Sequence, residues 1–176
     1  MRKLFVVLLI LSTFLIGGCI SGNTSNTDST STDGCAKIIA ELPNIISANI
    51  EGARTFEVVR VVDGDTFELA DGSKVRMNGI NTPEHNEPNY AEAKQNMADL
   101  ILNRSIFLQK DVSDTDKYGR KLRYVFTEDK FANAEQVSSG LASSFEYPPD
   151  TKYLDLFECL EKDARQKQLG VWKGYG

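Results

Sequence analysis

Three short strand patterns separated by two acidic turns occupy residues 55–80 and constrain the fold more than any other part of the chain. The alternating, valine-rich first pattern breaks at Asp63-Gly64-Asp65. The second ends at Asp71-Gly72, a dipeptide that is typical of two-residue hairpins. The region is therefore predicted to be an antiparallel meander. Its three predicted strands are Thr55 to Val62, Thr66 to Leu69 and Lys74 to Ile80.

Two further strands and three helices are predicted in the remainder of the domain. One helix is expected to start at Asn133, which suits an N-cap, with Gln136 three residues later as in a capping box. Gly140 is expected to end that helix and Gly170 to end the last one. The predicted elements are a helix over 88–103, strands over 105–109 and 121–126, the short helix over 133–140 and a last helix over 151–168.

This order of elements predicts an α+β fold, a five-stranded OB-fold β-barrel with three helices. A helix follows the third strand, and two more follow the fifth. Residues 36–50 are apolar enough to pack but have no clear period, so no element is predicted there. Because OB barrels often present nucleic acid to one face, the architecture favours a nucleic-acid ligand.

Three short motifs and one arginine carry the chemical information. Carboxylate, amide and carbonyl oxygens are the donors that a hard cation such as calcium prefers. A further carboxylate can take a proton from water, and guanidinium groups grip phosphate oxygens bidentately. Each motif alone is common in turns and loops, but together they predict a site for phosphodiester cleavage. They are Asp63-Gly64-Asp65-Thr66, Asn81-Thr82-Pro83-Glu84, Asp116-Lys117-Tyr118-Gly119-Arg120, and Arg76 five residues before Asn81.

The stretch from about Thr55 to Trp172 resembles the staphylococcal nuclease (thermonuclease) family. The resemblance rests on the motifs above, in the same order and at matching spacing. It also includes Ser139-Gly140-Leu141-Ala142 and the closing Leu169-Gly170-Val171-Trp172. It implies a calcium-dependent phosphodiesterase on an OB-fold.

The resemblance also implies roles for individual residues. Phe145 and Tyr147 would stack on a base, although packing into the barrel end beside Pro148 and Pro149 is an equally good interpretation. His85, the only histidine, is expected to be an exposed loop residue with no catalytic role. The implied set is Asp65, Asn81 and the Thr82 carbonyl as calcium ligands, Glu84 as general base, Arg76 and Arg120 on the phosphate, and Lys117 and Tyr118 on a neighbouring phosphate.

One residue departs from the family pattern. The family's best-known enzyme has an aspartate at the position of Asn81. An asparagine keeps a carbonyl oxygen for the metal but removes one negative charge. Because the number of charged ligands tunes calcium affinity, weaker binding is expected, and extracellular calcium would compensate for it.

These observations predict a calcium-dependent extracellular nuclease that hydrolyses DNA and RNA, prefers single strands and leaves 3′-phosphate ends. The alternative is a catalytically weakened OB-fold lipoprotein that binds nucleic acid. A third, weaker interpretation is a surface lipoprotein that binds another anionic ligand. The retained Asp65, Glu84, Arg76 and Arg120 favour the enzyme, and Asn81 alone favours the weakened module. A monomer is expected because no exposed apolar stripe stands out.

The first eighteen residues read as an export signal. Met1-Arg2-Lys3 is followed by an uncharged apolar run to Ile16, which is shorter than the ~20 residues that span a bilayer. The ending before Cys19 resembles a lipobox, which would make Cys19 the lipidated first residue of the mature chain. An ordinary signal peptide or an uncleaved anchor is the alternative. Each interpretation places the protein outside the cell, either lipid-anchored on the outer face of the membrane or secreted.

Composition divides the rest of the chain. Eight of the twelve residues from Ser21 to Thr32 are Ser or Thr, which predicts a flexible tether. The predicted organisation is a signal peptide (1–18), a lipidated Cys and tether (19–34), an N-terminal extension (35–54) and the OB-fold domain (55–176). Without Arg2 and Lys3 the chain has 18 basic and 25 acidic residues, a net charge of −7, which argues against tight non-specific nucleic-acid binding.

If Cys19 is lipidated, the chain has two other cysteines. Cys35 opens the folded region, and Cys159 lies in the last predicted helix. Two cysteines in an exported domain suggest a disulfide. Such a bridge would tie the N-terminal segment to the C-terminal helix.

Overall fold

A closed barrel of five strands forms the centre of the computed structural model, which describes residues 29–174. Two very short strands form a separate ladder beside the barrel. The strands are β1 (Thr55–Val61), β2 (Thr66–Leu69), β3 (Lys74–Met77), β4 (Ile80–Asn81), β5 (Ser105–Gln109), β6 (Lys121–Phe126) and β7 (Ser143–Ser144). The helices are α1 (Ser29–Ala40), α2 (Leu42–Ile50), α3 (Tyr90–Ile101), α4 (Ala132–Ser138) and α5 (Leu154–Gln166), with a 3₁₀ turn at Gly170–Trp172.

The barrel contains the predicted meander and closes it with one parallel pair. Strands β1, β2 and β3 pair antiparallel in chain order, as expected from their sequence. Strand β3 then pairs in parallel with β6, and β5 lies antiparallel between β6 and β1. This topology confirms the five-stranded OB-fold. Apolar side chains that include Val58, Phe67, Val75 and Met77 fill the interior.

The third predicted strand is split in the structure. Strand β3 stops at Met77, and the chain turns at Asn78 and Gly79, where Gly79 has φ 74°. Ile80 and Asn81 then leave the barrel and pair with β7 instead. A Cβ on Gly79 would lie 2.6 Å from the ring of Phe157, so the turn also requires the small residue for packing. This turn directs Asn81 and the residues after it to one end of the barrel.

Residues 29–174 contain five α-helices rather than the three predicted. The three expected helices are α3, α4 and α5, with slightly shorter bounds. The additional ones are α1, which starts within the predicted tether and corrects that prediction for residues 29–34, and α2, which lies within residues 36–50, where the sequence showed no clear period. Six partly buried residues of this pair pack against the core: Ile38, Ile39, Leu42, Ile45, Ile46 and Ile50. Their helical state therefore depends on tertiary packing, which periodicity alone does not report.

The predicted start of α4 is wrong. The N-cap residue is Phe131, and Asn133 lies inside the helix, completely buried. Its amide accepts a hydrogen bond from the Val125 backbone at 2.9 Å and donates one to the Asn78 carbonyl at 2.8 Å. Gln136 likewise bonds to other segments and does not complete a capping box. Both polar side chains are used for contacts between elements that the local sequence does not reveal.

The two glycines expected to end helices behave differently. Gly140 follows α4 with φ 72°, as predicted. Helix α5, however, ends at Gln166, and the left-handed residue after it is Gln168, with φ 53°. Gly170 instead packs closely against Gly140. A Cβ on Gly170 would lie only 2.2 Å from the Gly140 oxygen, so no larger residue fits there. The prediction that Gly170 ends the helix is therefore wrong, and its small size serves this backbone contact.

Two features relate the fold to the N-terminal predictions. Helix α1 begins at Ser29, inside the segment predicted to be a flexible tether. None of the helices within residues 29–174 combines the length and hydrophobicity needed to cross a membrane. The predicted signal peptide, Cys19 and the first part of the tether lie outside the described residues.

A disulfide joins Cys35 of α1 to Cys159 of α5. The two Cα atoms lie 5.3 Å apart, and 124 positions separate the residues in the chain. The bridge therefore closes a loop that contains the whole barrel. Because a cross-link restricts the unfolded chain more as the loop it closes becomes longer, this bridge is expected to stabilise the fold strongly.

Replacing both cysteines by serine is expected to lower the free energy of unfolding by about 2–5 kcal/mol. Urea denaturation of the domain monitored by circular dichroism measures this, with the parent protein kept oxidised. Reduction of the parent should reproduce the loss. An unchanged urea midpoint in the double variant would contradict a stabilising bridge.

Candidate active site

An open cleft of about 410 Å³ lies at the barrel end where the β1–β2 turn, the segment after β3 and the β5–β6 loop meet. All ten residues that the sequence analysis assigned to catalysis, metal or nucleotide line it, together with Asp63, Thr66, Asp116 and others. The ten are Asp65, Arg76, Asn81, Thr82, Glu84, Lys117, Tyr118, Arg120, Phe145 and Tyr147. The structure thus brings together residues that are up to 82 positions apart in the chain.

The buried carboxylate of Asp65 is the most highly bonded group of the cleft. Its Oδ2 accepts hydrogen bonds from the backbone N–H and from Oγ1 of Thr82, both at 3.0 Å. Its Oδ1 accepts one from Oγ1 of Thr66 at 3.1 Å. These bonds fasten the β1–β2 turn to the segment after β4.

Arg76 extends from β3 into the cleft and connects two of the predicted calcium ligands. Its Nε lies 3.1 Å from Oδ1 of Asp65, and its Nη2 donates to Oδ1 of Asn81 at 2.8 Å. Its Nη1 donates to the carbonyl of Met77. The oxygens of Asp65 and Asn81 therefore converge on a single positive group.

Asp63 is a member of the cleft to which the sequence analysis assigned no role. Its Oδ1 accepts a hydrogen bond from the Asp65 backbone at 3.1 Å. Burial is the main cause that raises the pKa of Asp63, and the nearby negative charge of Asp65 raises it further. The Asp63-Gly64-Asp65 motif was visible in the sequence, but the spacing alone does not show that both carboxylates face the same cleft.

Asp116 holds Arg120 in a fixed position. Its Oδ2 accepts from Nε of Arg120 at 2.7 Å, and its Oδ1 accepts from the backbones of Tyr118 and Arg120 at 2.9 and 3.0 Å. Burial alone would raise the pKa of Asp116, but these hydrogen bonds outweigh it and hold the pKa below its usual value. Arg120 lines the cleft, and its Nη1 lies 3.5 Å from Oγ1 of Thr66.

The β5–β6 loop, which carries Asp116 and Arg120, is also held by hydrogen bonds to Asp150. Oδ1 of Asp150, a buried carboxylate, accepts hydrogen bonds from the backbones of Val112 and Ser113 at 3.0 and 2.8 Å. Asp150 lies 38 positions from Val112 in the chain, so the sequence carries no local sign of this contact.

Three aromatic rings line the cleft and remain exposed. Tyr118 is 73% exposed, with Nζ of Lys117 5.0 Å and Cζ of Arg120 5.6 Å from its ring centroid. Phe145 and Tyr147 are 45% and 39% exposed, and their rings stack with centroids 6.2 Å apart. Neither Phe145 nor Tyr147 is buried in the barrel end, so both rings are accessible from the cleft.

Glu84 and His85 occupy the loop before α3. Glu84 is exposed and lines the cleft, and its backbone N–H donates to the carboxylate of Glu87 at 2.7 Å. His85 packs edge-on against Tyr90, with ring centroids 5.2 Å apart, and does not line the cleft. The histidine thus lies outside the described site, although it follows Glu84 directly.

The donor atoms of the cleft fit a hard cation. Within residues 29–174, no three His, Cys, Asp or Glu side chains are grouped as a metal site. The Asp65 carboxylate and the Asn81 amide nevertheless place oxygens in the cleft. Both are paired with Arg76 in this structure, so a cation bound there would replace Arg76 at these oxygens. Such a mixed oxygen set suits calcium, which accepts carboxylate and carbonyl ligands in irregular geometry.

Comparison with known proteins agrees with this architecture. Residues 74–174, more than half of the chain, match the model of the family described as staphylococcal nuclease homologue. The thermonuclease of Staphylococcus intermedius is 38% identical over a 136-residue alignment that covers 72% of this chain and 80% of that protein. The thermonuclease of Staphylococcus hyicus is 33% identical over 137 residues, covering 72% and 81%. Endonuclease YncB of Bacillus subtilis is 34% identical over 128 residues, covering 66% and 61%.

The family match and the named relatives, together with the carboxylates and arginines of the cleft, place the chain in a class of hydrolases that cleave nucleic acid. The chain belongs to the staphylococcal nuclease family. It is a nuclease and therefore a phosphodiesterase.

Proposed function

We propose that this protein is a calcium-dependent extracellular nuclease that cleaves DNA and RNA, prefers single strands and leaves 3′-phosphate ends. The observation that carries the proposal is the gathering of Asp65, Arg76, Glu84 and Arg120 around one open cleft. The exposed aromatic rings beside it suit unpaired bases, because stacking needs a free π-face.

Calcium, held by Asp65, Asn81 and the Thr82 carbonyl, would supply a Lewis acid that draws charge from a phosphate oxygen. The protein itself would hold these oxygens close together before calcium binds. Thr82 does so by donating two hydrogen bonds to Asp65, which fixes the carboxylate relative to its own backbone. Arg76 is paired with the same Asp65 and Asn81 oxygens in this structure, so its guanidinium would move away from them as calcium binds.

The two arginines would hold the phosphate and neutralise the charge that develops on it. Asp116 fixes Nε of Arg120, so that the other nitrogens are left for a phosphate oxygen. Arg76 is held by Asp65 and Asn81. A planar guanidinium that remains charged grips two phosphate oxygens at once, which an ammonium group does not do.

Glu84 would act as the general base. It would accept a proton from water as the water oxygen bonds to phosphorus and the bond from phosphorus to the 5′-oxygen breaks. The phosphate then stays on the 3′-oxygen, and the 5′-oxygen leaves and takes a proton from solvent water. An exposed carboxylate on the cleft wall is suitably placed to meet water, and such proton transfer typically contributes about 10²–10⁴-fold.

The remaining cleft residues would bind the chain of the substrate. Lys117 and Tyr118 would contact a neighbouring phosphate, and Phe145 and Tyr147 would stack on a base. In the extracellular setting that we propose, Cys19 carries a lipid, the residues between it and α1 form a tether, and the domain acts as a monomer at the outer face of the membrane. The N-terminal export pattern supports this location.

Calcium dependence is tested with the purified oxidised domain and denatured DNA. Acid-soluble fragments are expected in millimolar calcium and not in excess EGTA. Glu84→Gln should lower kcat by about 10²–10⁴-fold with DNA binding retained, while Glu57→Gln on the exposed surface of β1 serves as control. DNA bound in calcium without cleavage would favour the weakened binding module. Fragments released equally in EGTA would remove calcium from the proposal.

Arg76→Lys and Arg120→Lys are each expected to reduce kcat by at least about 10²-fold, because the charge remains but the planar fork is lost. Single-turnover cleavage of a labelled oligonucleotide measures the chemical step. Arg60→Lys is the matched control, since Arg60 pairs bidentately with Glu68 away from the cleft. Near-parental kcat in either cleft variant would exclude that arginine from the mechanism.

Asn81→Asp is expected to lower the calcium concentration needed for half-maximal activity, because it adds a negative charge to the ligand set. Calcium titration of the initial rate gives the midpoint. Asn103→Asp adds the same charge at an exposed position outside the cleft and should leave the midpoint unchanged. An unchanged or higher midpoint for Asn81→Asp would refute the assignment of Asn81 as a calcium ligand.

A further inference from the structure

A buried amide on α4 links the Asp65 turn to α3. Gln136 has no exposed surface. Its Nε2 donates to the carbonyl of Gly64 at 2.7 Å and to the carbonyl of Ala93 at 2.9 Å. Its Oε1 accepts from Nδ2 of Asn96 at 2.7 Å. Both of its donor hydrogens are used, so this side chain is held in one orientation.

The Gly64 carbonyl belongs to the peptide bond that leads directly into Asp65. The next carbonyl, that of Asp65 itself, accepts a hydrogen bond from the Met77 backbone at 2.9 Å. Asp65 is therefore fixed on its N-terminal side by Gln136 and on its C-terminal side by β3. Gly64 also lies close to Thr82, since a Cβ there would be 2.8 Å from the Thr82 side chain.

The other partners of Gln136 lie on α3, at the end of the segment that carries Glu84. That segment starts at Thr82, which is bonded to Asp65, and it runs into α3, where Ala93 and Asn96 are bonded to Gln136. The two ends of the Glu84 segment are thus tied to the Asp65 turn, one directly and one through the Gln136 amide.

We propose that Gln136 is a positioning residue that sets the Asp65 turn relative to the segment bearing Glu84. This inference rests on the proposed function, because it assumes that Asp65 holds the metal and Glu84 accepts the proton. An apolar residue at position 136 would leave the Gly64 carbonyl buried without a donor. The turn would then relax toward another partner and carry Asp65 with it.

The test compares Gln136→Leu, and Gln136→Met as a second apolar variant, with Val137→Ala. Val137 is a fully buried neighbour on the same helix whose side chain has no polar group to bond the turn. Gln136→Leu is expected to lower kcat by about 10–100-fold, because small displacements of reacting groups are costly, with KM changed less than about threefold. Calcium affinity, measured by calorimetry without DNA, should weaken by about tenfold. Val137→Ala should lower the melting temperature but leave kcat, KM and calcium affinity unchanged.

Hydrogen exchange of the Asp65 amide provides a reading that depends on neither turnover nor calcium. It should be faster in Gln136→Leu than in Val137→Ala at matched global stability. If the parent protein fails to cleave in calcium, the proposed function fails, and this exchange comparison still decides the positioning role. Equal exchange, with kcat and calcium affinity as in Val137→Ala, would reduce Gln136 to a core packing residue and overturn the proposal.

Discussion

The hydrogen bonds and ion pair of the Asp65 carboxylate are the interaction on which the site depends. Thr66, Thr82 and Arg76 all bind it, so one buried side chain joins the β1–β2 turn, β3 and the segment after β4. A buried charge is tolerated only when it is paired and hydrogen-bonded, and both conditions are met here. Removing this group would leave Arg76 and the Thr82 backbone without their main partner.

Barrel closure brings the two halves of the site together. Because β3 and β6 pair in parallel, Arg76 lies opposite Leu122, close to the loop that carries Arg120. The two arginines come from segments 44 positions apart and meet at one barrel end. A rigid, closed sheet is a suitable base for loops of this kind, since it limits their relative motion. Hydrogen bonds to Asp116 and Asp150 limit the motion of the β5–β6 loop in the same way.

The N-terminal helices extend this domain beyond its barrel. Helices α1 and α2 cover part of the core with isoleucine and leucine side chains, and the Cys35–Cys159 bridge ties α1 to α5. Asn49 of α2 also donates to the hydroxyl of Tyr153 at 3.2 Å, which in turn donates to Gln109 of β5. The extension is therefore part of the packed structure, although its composition gave no clear indication of secondary structure.

The sequence alone determined the strand order of the meander, the three main helices and the chemical types of the site, because turn chemistry, periodicity and residue type are local properties. Only the tertiary structure decided the rest. The capping box at Asn133 and the helix stop at Gly170 were wrong because these residues serve partners far away in the chain, Asn78 and Gly140. Asp116, Asp150 and Gln136 are hydrogen-bonded supports of the cleft. A buried polar group must find a partner wherever the fold provides one, and no local pattern specifies which.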